Sequence, residues 1–167
     1  MKKIRTQRLL IIPCTLSLAR SLMIHMDDLK KNSPIGIPKH FPSDQVRGML
    51  PFIVEYMEKE DIETACWRLW FIIELQTNQF IGEIELSGKP ANENRLCFSL
   101  SMIGEKYEKE YLGEALHGLI ININKYNPLY RLETEILSER MRYKRLLEEC
   151  GFRILSMDNS YCRMRRQ

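Results

Sequence analysis

The sequence predicts a mixed α/β domain, and three observations predict it. Apolar residues in the first third recur at helical spacing. Those in the middle form strand-like runs joined by a short polar turn. The last third alternates strand, helix, strand, helix and strand. The length suits one domain over residues 1–167.

Each element has a local reason. Arg8-Leu9-Leu10-Ile11-Ile12-Pro13 is a short apolar run stopped by proline, which reads as a strand. Thr15 offers an N-cap for a helix through Leu18, Leu22 and Met23. Asn32 to Pro42 carries three prolines and reads as a loop. Ser43-Asp44 caps a second helix with apolar Val46, Leu50, Ile53, Val54 and Met57, which Pro51 should kink or break. Trp67 to Leu75, Phe80 to Leu86 and Leu96 to Ile103 are three strands of a meander, the first two joined by a turn over Gln76 to Gln79. A helix is expected from Glu110 to Tyr126 and a strand from Arg131 to Leu137. Met141 to Cys150 reads as a helix, and Phe152 to Arg163 as one or two final strands.

Composition excludes more than it assigns. With 44% hydrophobic and 28% charged residues the chain is neither disordered nor fibrous. A net charge of +3 is too small to argue for nucleic acid, so none is expected as a partner. From Ser138 onward eight Lys and Arg face four acids, either a solvated basic face or an anion site that includes Arg140. Five cysteines, odd in number and widely spaced without a CxxC pair, argue against a disulfide framework or a zinc site, and no metal is expected. Cys97 and Cys150 lie among apolar neighbours and read as small core residues. No signal-like segment or apolar run of about 20 residues is visible, so a cytoplasmic protein without membrane contact is the expectation.

Three segments carry a resemblance to a known family. Ile4-Arg5-Thr6-Gln7-Arg8-Leu9-Leu10-Ile11-Ile12-Pro13 is similar to an "L-x-T-x-R-L-x-L-x-P" first strand. Tyr111-Leu112-Gly113-Glu114-Ala115-Leu116 is similar to "Y-A-T-E-A-L". Arg131-Leu132-Glu133-Thr134-Glu135-Ile136, followed by Arg145-Leu146-Leu147-Glu148-Glu149-Cys150-Gly151-Phe152, is similar to "R-I-E-A-x-V" and "R-V-L-E-K-x-G-F". In this order they resemble the GNAT N-acetyltransferases, in particular the branch of the ribosomal-protein N-terminal acetyltransferases. The resemblance implies a central, mostly antiparallel sheet flanked by helices. It also implies acetyl-coenzyme A as cofactor and a primary amine as acceptor, on a peptide N-terminus or a small molecule, in a monomer or homodimer.

Departures from the family pattern locate the candidate site residues. The family's phosphate loop reads Arg/Gln-x-x-Gly-x-Gly/Ala, and here the matching positions are Tyr107, Glu108, Lys109, Glu110, Tyr111 and Leu112, followed by Gly113. Glycine lets backbone approach a pyrophosphate closely, whereas Glu110 and Leu112 add side chains. Two like charges ~5 Å apart at an effective dielectric near 20 repel by about 3 kcal/mol, so weak or absent acetyl-coenzyme A binding is expected. Where the family often has Asn and Ser in the later helix, Arg140 and Tyr143 stand. Arg140 would hold phosphate as a fork, and Tyr143 is either a proton donor to a leaving thiolate or a packing residue. Cys97 matches the position where some members place a glutamate base. Glu83 and Glu85, on one strand face with Ile81, would serve instead through a water, unless they are only exposed strand carboxylates. A backbone N–H near Met102 and Ile103 would polarise the acyl carbonyl. Two classes of function follow: an acyltransferase, or a catalytically impaired GNAT-fold binding or interaction protein.

Overall fold

The computed structural model describes residues 3–59, 69–87 and 94–167. In chain order the elements are β1 (Ile4–Arg5), β2 (Leu9–Pro13), α1 (Leu16–Ile24), α2 (Met26–Asn32), α3 (Asp44–Lys59), β3 (Leu69–Glu74), β4 (Gln79–Ser87) and β5 (Arg95–Met102). There follow α4 (Glu105–Tyr126), β6 (Arg131–Leu137), α5 (Met141–Glu149), β7 (Phe152–Met157) and β8 (Tyr161–Arg166). The strands form one eight-stranded sheet in the order β1-β2-β3-β4-β5-β6-β8-β7, in which β5 and β6 are the parallel pair.

The expected caps form. Thr15 Oγ1 accepts from the Leu18 N–H at 3.2 Å, and Ser43 Oγ from the Val46 N–H at 3.2 Å. Alternation along β3 divides the core. Trp70 and Ile72 pack with α4 residues such as Leu112, Leu116 and Leu119, while Leu69, Phe71 and Ile73 pack with Leu22 of α1 and Leu50, Ile53 and Val54 of α3. Phe41 stacks on Phe80 with ring centroids 4.9 Å apart and meets Phe71 edge-on at 5.2 Å, which anchors the proline-rich loop to the sheet and delivers Ser43 to its face.

Four expectations need correction. Helix α3 runs unbroken through Pro51, whose exposed position leaves the unpaired Arg47 carbonyl open to water. Ile81 does not share a face with Glu83 and Glu85. Ile72 pairs with Gly82 and Ile73 with Phe80, so Ile81 is the extra residue of a β-bulge and packs on the α4 side. Cys97 and Cys150 are half-buried, not core, whereas Cys14 and Cys162 are buried. Helix α4 begins at Glu105, more than a turn before the expected Glu110. The expected strand start at Trp67 lies outside the described residues.

The parallel pairing of β5 with β6 lasts only from Arg95–Arg131 to Cys97–Glu133. Beyond it β6 pairs antiparallel with β8 from Glu133 to Leu137, and β5 runs on alone on that side. Glu133 marks the parting. Its carboxylate, 1% exposed, accepts from Arg163 at 2.7 Å and from Arg165 Nε at 2.7 Å, both on β8. Burial pushes this carboxyl up, but the two guanidiniums outweigh it and hold it below the ordinary range. Glu133→Gln should therefore cost about 2–3 kcal/mol in urea unfolding at neutral pH. That is below the ~3–5 of a fully buried pair, because both arginines are part-exposed. A carboxyl held low loses its contribution as pH falls through its folded value, so the gap should narrow on acidification below about pH 4.

Candidate functional site

Where β5 and β6 part, a groove of about 530 Å³ opens on the α3 side of the sheet. Its floor includes Glu85, Cys97, Ser99 and Thr134, and its rim is Met49, Phe52 and Tyr56 of α3. Thr134 is buried, and its Oγ1 has no hydrogen-bond partner. Its place between Leu132 and Ile136, opposite Met164, turns this hydroxyl to the α4 side of the sheet, away from the groove, and a buried hydroxyl left unpaired costs about 1–3 kcal/mol.

The edge of β5 that faces the gap also carries unused backbone groups. Ile103 donates its N–H to the Ile81 carbonyl at 2.9 Å, so the odd-numbered residues of β5 bond to β4. In an antiparallel ladder the alternate residues point the other way, so Leu100 and Met102 turn their N–H groups toward the side β6 has left. Of the expected pair, Ile103 is already bonded and Met102 faces the gap. Gly82 allows this arrangement, because a Cβ there would meet the Ser101 carbonyl at 2.6 Å and Met102 Sδ at 2.7 Å.

Glu83 and Glu85 project from β4 toward α3 and are not simply exposed strand carboxylates. Glu83 is 5% exposed and accepts from the Ser43 N–H at 3.3 Å and the Ser101 hydroxyl at 3.5 Å. It borders a second cavity of about 120 Å³ with His40, Ser43 and Met102. Glu85 is half-buried and accepts only from the Gln45 amide, at 3.2 and 3.3 Å. Desolvation raises both carboxyls above the ordinary range, Glu85 further through repulsion from Glu83. Among the described residues no cation pairs with either in an ion pair.

The stretch Tyr107 to Gly113 is helical rather than looped. The Glu108 N–H donates to the Gly104 carbonyl at 3.0 Å, so from there on the backbone bonds along the helix. Tyr111 and Leu112 lie in the core. The Tyr111 hydroxyl donates to Glu74, and that bond pushes the phenol up to about 12. Gly113 is half-buried near Leu146, and Tyr107 stacks on Tyr111 at 6.2 Å. Glu110 is exposed, and its carbonyl accepts from Arg8 at 2.9 Å. The residue that turns strand into helix is Gly104, at φ 154° and ψ 164°, a conformation reserved for glycine.

Helices α4 and α5 meet at the mouth of the cleft. Arg140 pairs with Glu108 at 2.9 Å, Arg142 donates to the Lys109 carbonyl at 2.5 Å, and Lys109 pairs with Glu105 at 3.2 Å. The Arg140 guanidinium lies 4.8 Å over the Tyr143 ring. Tyr143 is 1% exposed, its hydroxyl has no partner, and burial pushes its phenol well up, so it keeps its proton. It lines neither of the two cavities that hold Glu85 and Glu83.

Sequence reasoning missed Gly104, Thr134 and the α3 rim. The first had a signal, a glycine between a strand and a helix. Thr134 lies in a segment already matched to the family, but nothing marks it until β6 is seen to turn away. Among the described residues no cluster of three His, Cys, Asp or Glu can hold a metal, and no helix is long and apolar enough to cross a membrane.

No protein-family model matches the chain, and no curated protein does. Solved structures do. A protein assigned to the GNAT acetyltransferases from Bordetella pertussis superposes with a TM-score of 0.67 at 13% identity, over 100% of both chains. The ribosomal-protein-S5-alanine acetyltransferase of Vibrio fischeri gives 0.64 at 13% identity, over 98% of this chain and 95% of its own. The dodecameric spermidine N-acetyltransferase of Vibrio cholerae gives 0.64 at 15%, over 96% and 94%. The fold of this chain is the GNAT acetyltransferase fold.

Proposed function

We propose that the chain is an acyltransferase that moves an acyl group from a thioester to a primary amine in the cleft between β5 and β6. The observation that carries this reading is the parting of the two strands, which leaves the unmatched N–H edge of β5 along the groove. The acceptor class follows from the groove itself: Glu133 is matched by Arg163, but Glu85 has no ion pair among the described residues, and beneath an aromatic and thioether rim it suits an ammonium group on an apolar stem. A peptide N-terminus and a small polyamine-like amine both present one.

Acetyl-coenzyme A, when bound, supplies an activated acyl thioester. The acyl end fits the residues present. The Met102 N–H faces the gap and is positioned to stabilise negative charge on a carbonyl oxygen. Glu85 docks the ammonium. Glu83, with its raised carboxyl, takes up a proton through a water and leaves a neutral amine. Tyr143, beneath the Arg140 guanidinium, keeps at its phenol oxygen the proton that a leaving group would need. The nucleotide end does not fit: Tyr107, Glu108, Lys109, Glu110, Tyr111, Leu112 and Gly113 are helix, and Arg140 is paired with Glu108. That observation favours a second reading, a non-catalytic GNAT-fold protein that uses the old cleft to bind. Incubating the chain with acyl thioesters and an amine panel separates the two by turnover.

Tyr143→Phe removes one buried, unpaired hydroxyl, so stability should hold or rise by up to about 1 kcal/mol while turnover falls about 10²–10⁴-fold. Unchanged turnover on a folded variant would remove Tyr143 from the reaction. Glu83→Gln should have opposite effects on stability and rate. Above the unfolded carboxyl value of about 4.3 the charged form of Glu83 opposes folding, so the amide raises the urea midpoint near pH 7.5. The gain should shrink near pH 4.5, where both states hold the proton more fully, and turnover should drop at either pH.

A further inference from the structure

We infer that the thioester arm this cleft accepts is a pantetheine thioester presented without adenosine phosphates, either free or as the arm of a carrier protein. The inference rests on the acyl-transfer reading above and specifies its donor. A nucleotide phosphate needs free N–H groups, room beside the backbone and uncommitted cations. At the start of α4 the N–H groups left outside the helical ladder belong to Glu105, Lys106 and Tyr107, in the same first turn as the carboxylates of Glu105 and Glu108. Those carboxylates already complement the positive end of the helix.

The nearby cations are committed as well. Lys109 is paired with Glu105, Arg140 with Glu108, and Arg8 with Glu114 at 2.7 Å. Arg142 is tied to the Lys109 carbonyl. Arg142 and Lys106, the latter 5.8 Å over the Tyr107 ring, have no ion pair among the described residues. A polyanion would have to break two ion pairs and leave two carboxylates facing its own charge. At the acyl end the cations Arg163 and Arg165 are taken by Glu133, which leaves Glu85 without an ion pair among the described residues and the Met102 N–H on an unmatched strand edge. The two ends of one binding path thus differ: the acyl end is open and the nucleotide end is occupied by the chain itself.

Calorimetric titration of the full chain with S-acetylpantetheine, acetyl-coenzyme A and adenosine 3′,5′-bisphosphate tests this. The two thioesters should bind within about threefold of each other, and the bisphosphate should neither bind nor compete, because the nucleotide adds no net contact. A carrier domain acetylated on its pantetheine arm distinguishes the sources: tighter binding than free acetylpantetheine assigns the arm to a carrier, and equal binding assigns it to a free thioester. Acetyl-coenzyme A binding more than about 30-fold tighter than acetylpantetheine would overturn the inference and leave the acyl-transfer reading standing. No binding by any thioester would overturn both. The double change Glu105→Gln, Glu108→Gln frees Lys109 and Arg140, and should tighten acetyl-coenzyme A about tenfold or more while leaving acetylpantetheine unchanged. An unchanged acetyl-coenzyme A affinity in that variant would also overturn the assignment.

Discussion

The site depends on the two arginines that hold Glu133. Strand β6 bonds β5 along one edge and β8 along the other, and the buried carboxylate ties it to β8 at the residue where it leaves β5. Two charge-assisted bonds from β8 reach Glu133 at the last residue that still pairs with β5. From the next residue onward β6 follows β8, and the unmatched edge of β5 becomes one wall of a groove. An ion pair buried on one side is a weak source of net stability but a strong source of geometry, because breaking it leaves a charge without a partner.

The other end of the cleft shows the reverse trade. Acidic residues in the first turn favour a helix, and Glu105 and Glu108 stand where α4 starts. Arg140 and Lys109 complete the arrangement with their own pairs. Each contact is modest at such exposure. Together they replace a loop that could wrap a phosphate with a helix that has no need of one. The same side chains that extend α4 thus remove the site a polyanion would use, and local stability and ligand choice are one property of Glu105 to Glu110.

Much of the fold was legible because it depends on periodicity. The apolar spacing of α3, the strand runs of β3 to β5 and the caps at Thr15 and Ser43 are local signals, and local signals survive folding. What was not legible depends on the tertiary surroundings. Pro51 could not be read as harmless without knowing that its face is exposed. Glu83 and Glu85 were identified from their strand position, but their burial comes from Ser43 and Gln45, some forty residues away in sequence. The early start of α4 was hidden because the family pattern suggested a loop there. The choice between the Met102 and Ile103 N–H groups required the register of the β4–β5 ladder, which residue spacing alone does not give.

The carboxylates of β4 bear most directly on what the cleft is for. Glu83 and Glu85 lie half-buried or deeper on one strand face, and repulsion from Glu83 adds to the desolvation that raises Glu85. Neither has an ion pair among the described residues, so each keeps an energetic cost that a bound ammonium would relieve. The nucleotide mouth shows no such tension, because its charges are already matched in pairs. On the proposed reading, the unsatisfied groups at the strand parting mark the part of the cleft still shaped for binding, and the matched pairs mark the part that has turned to holding the helices together.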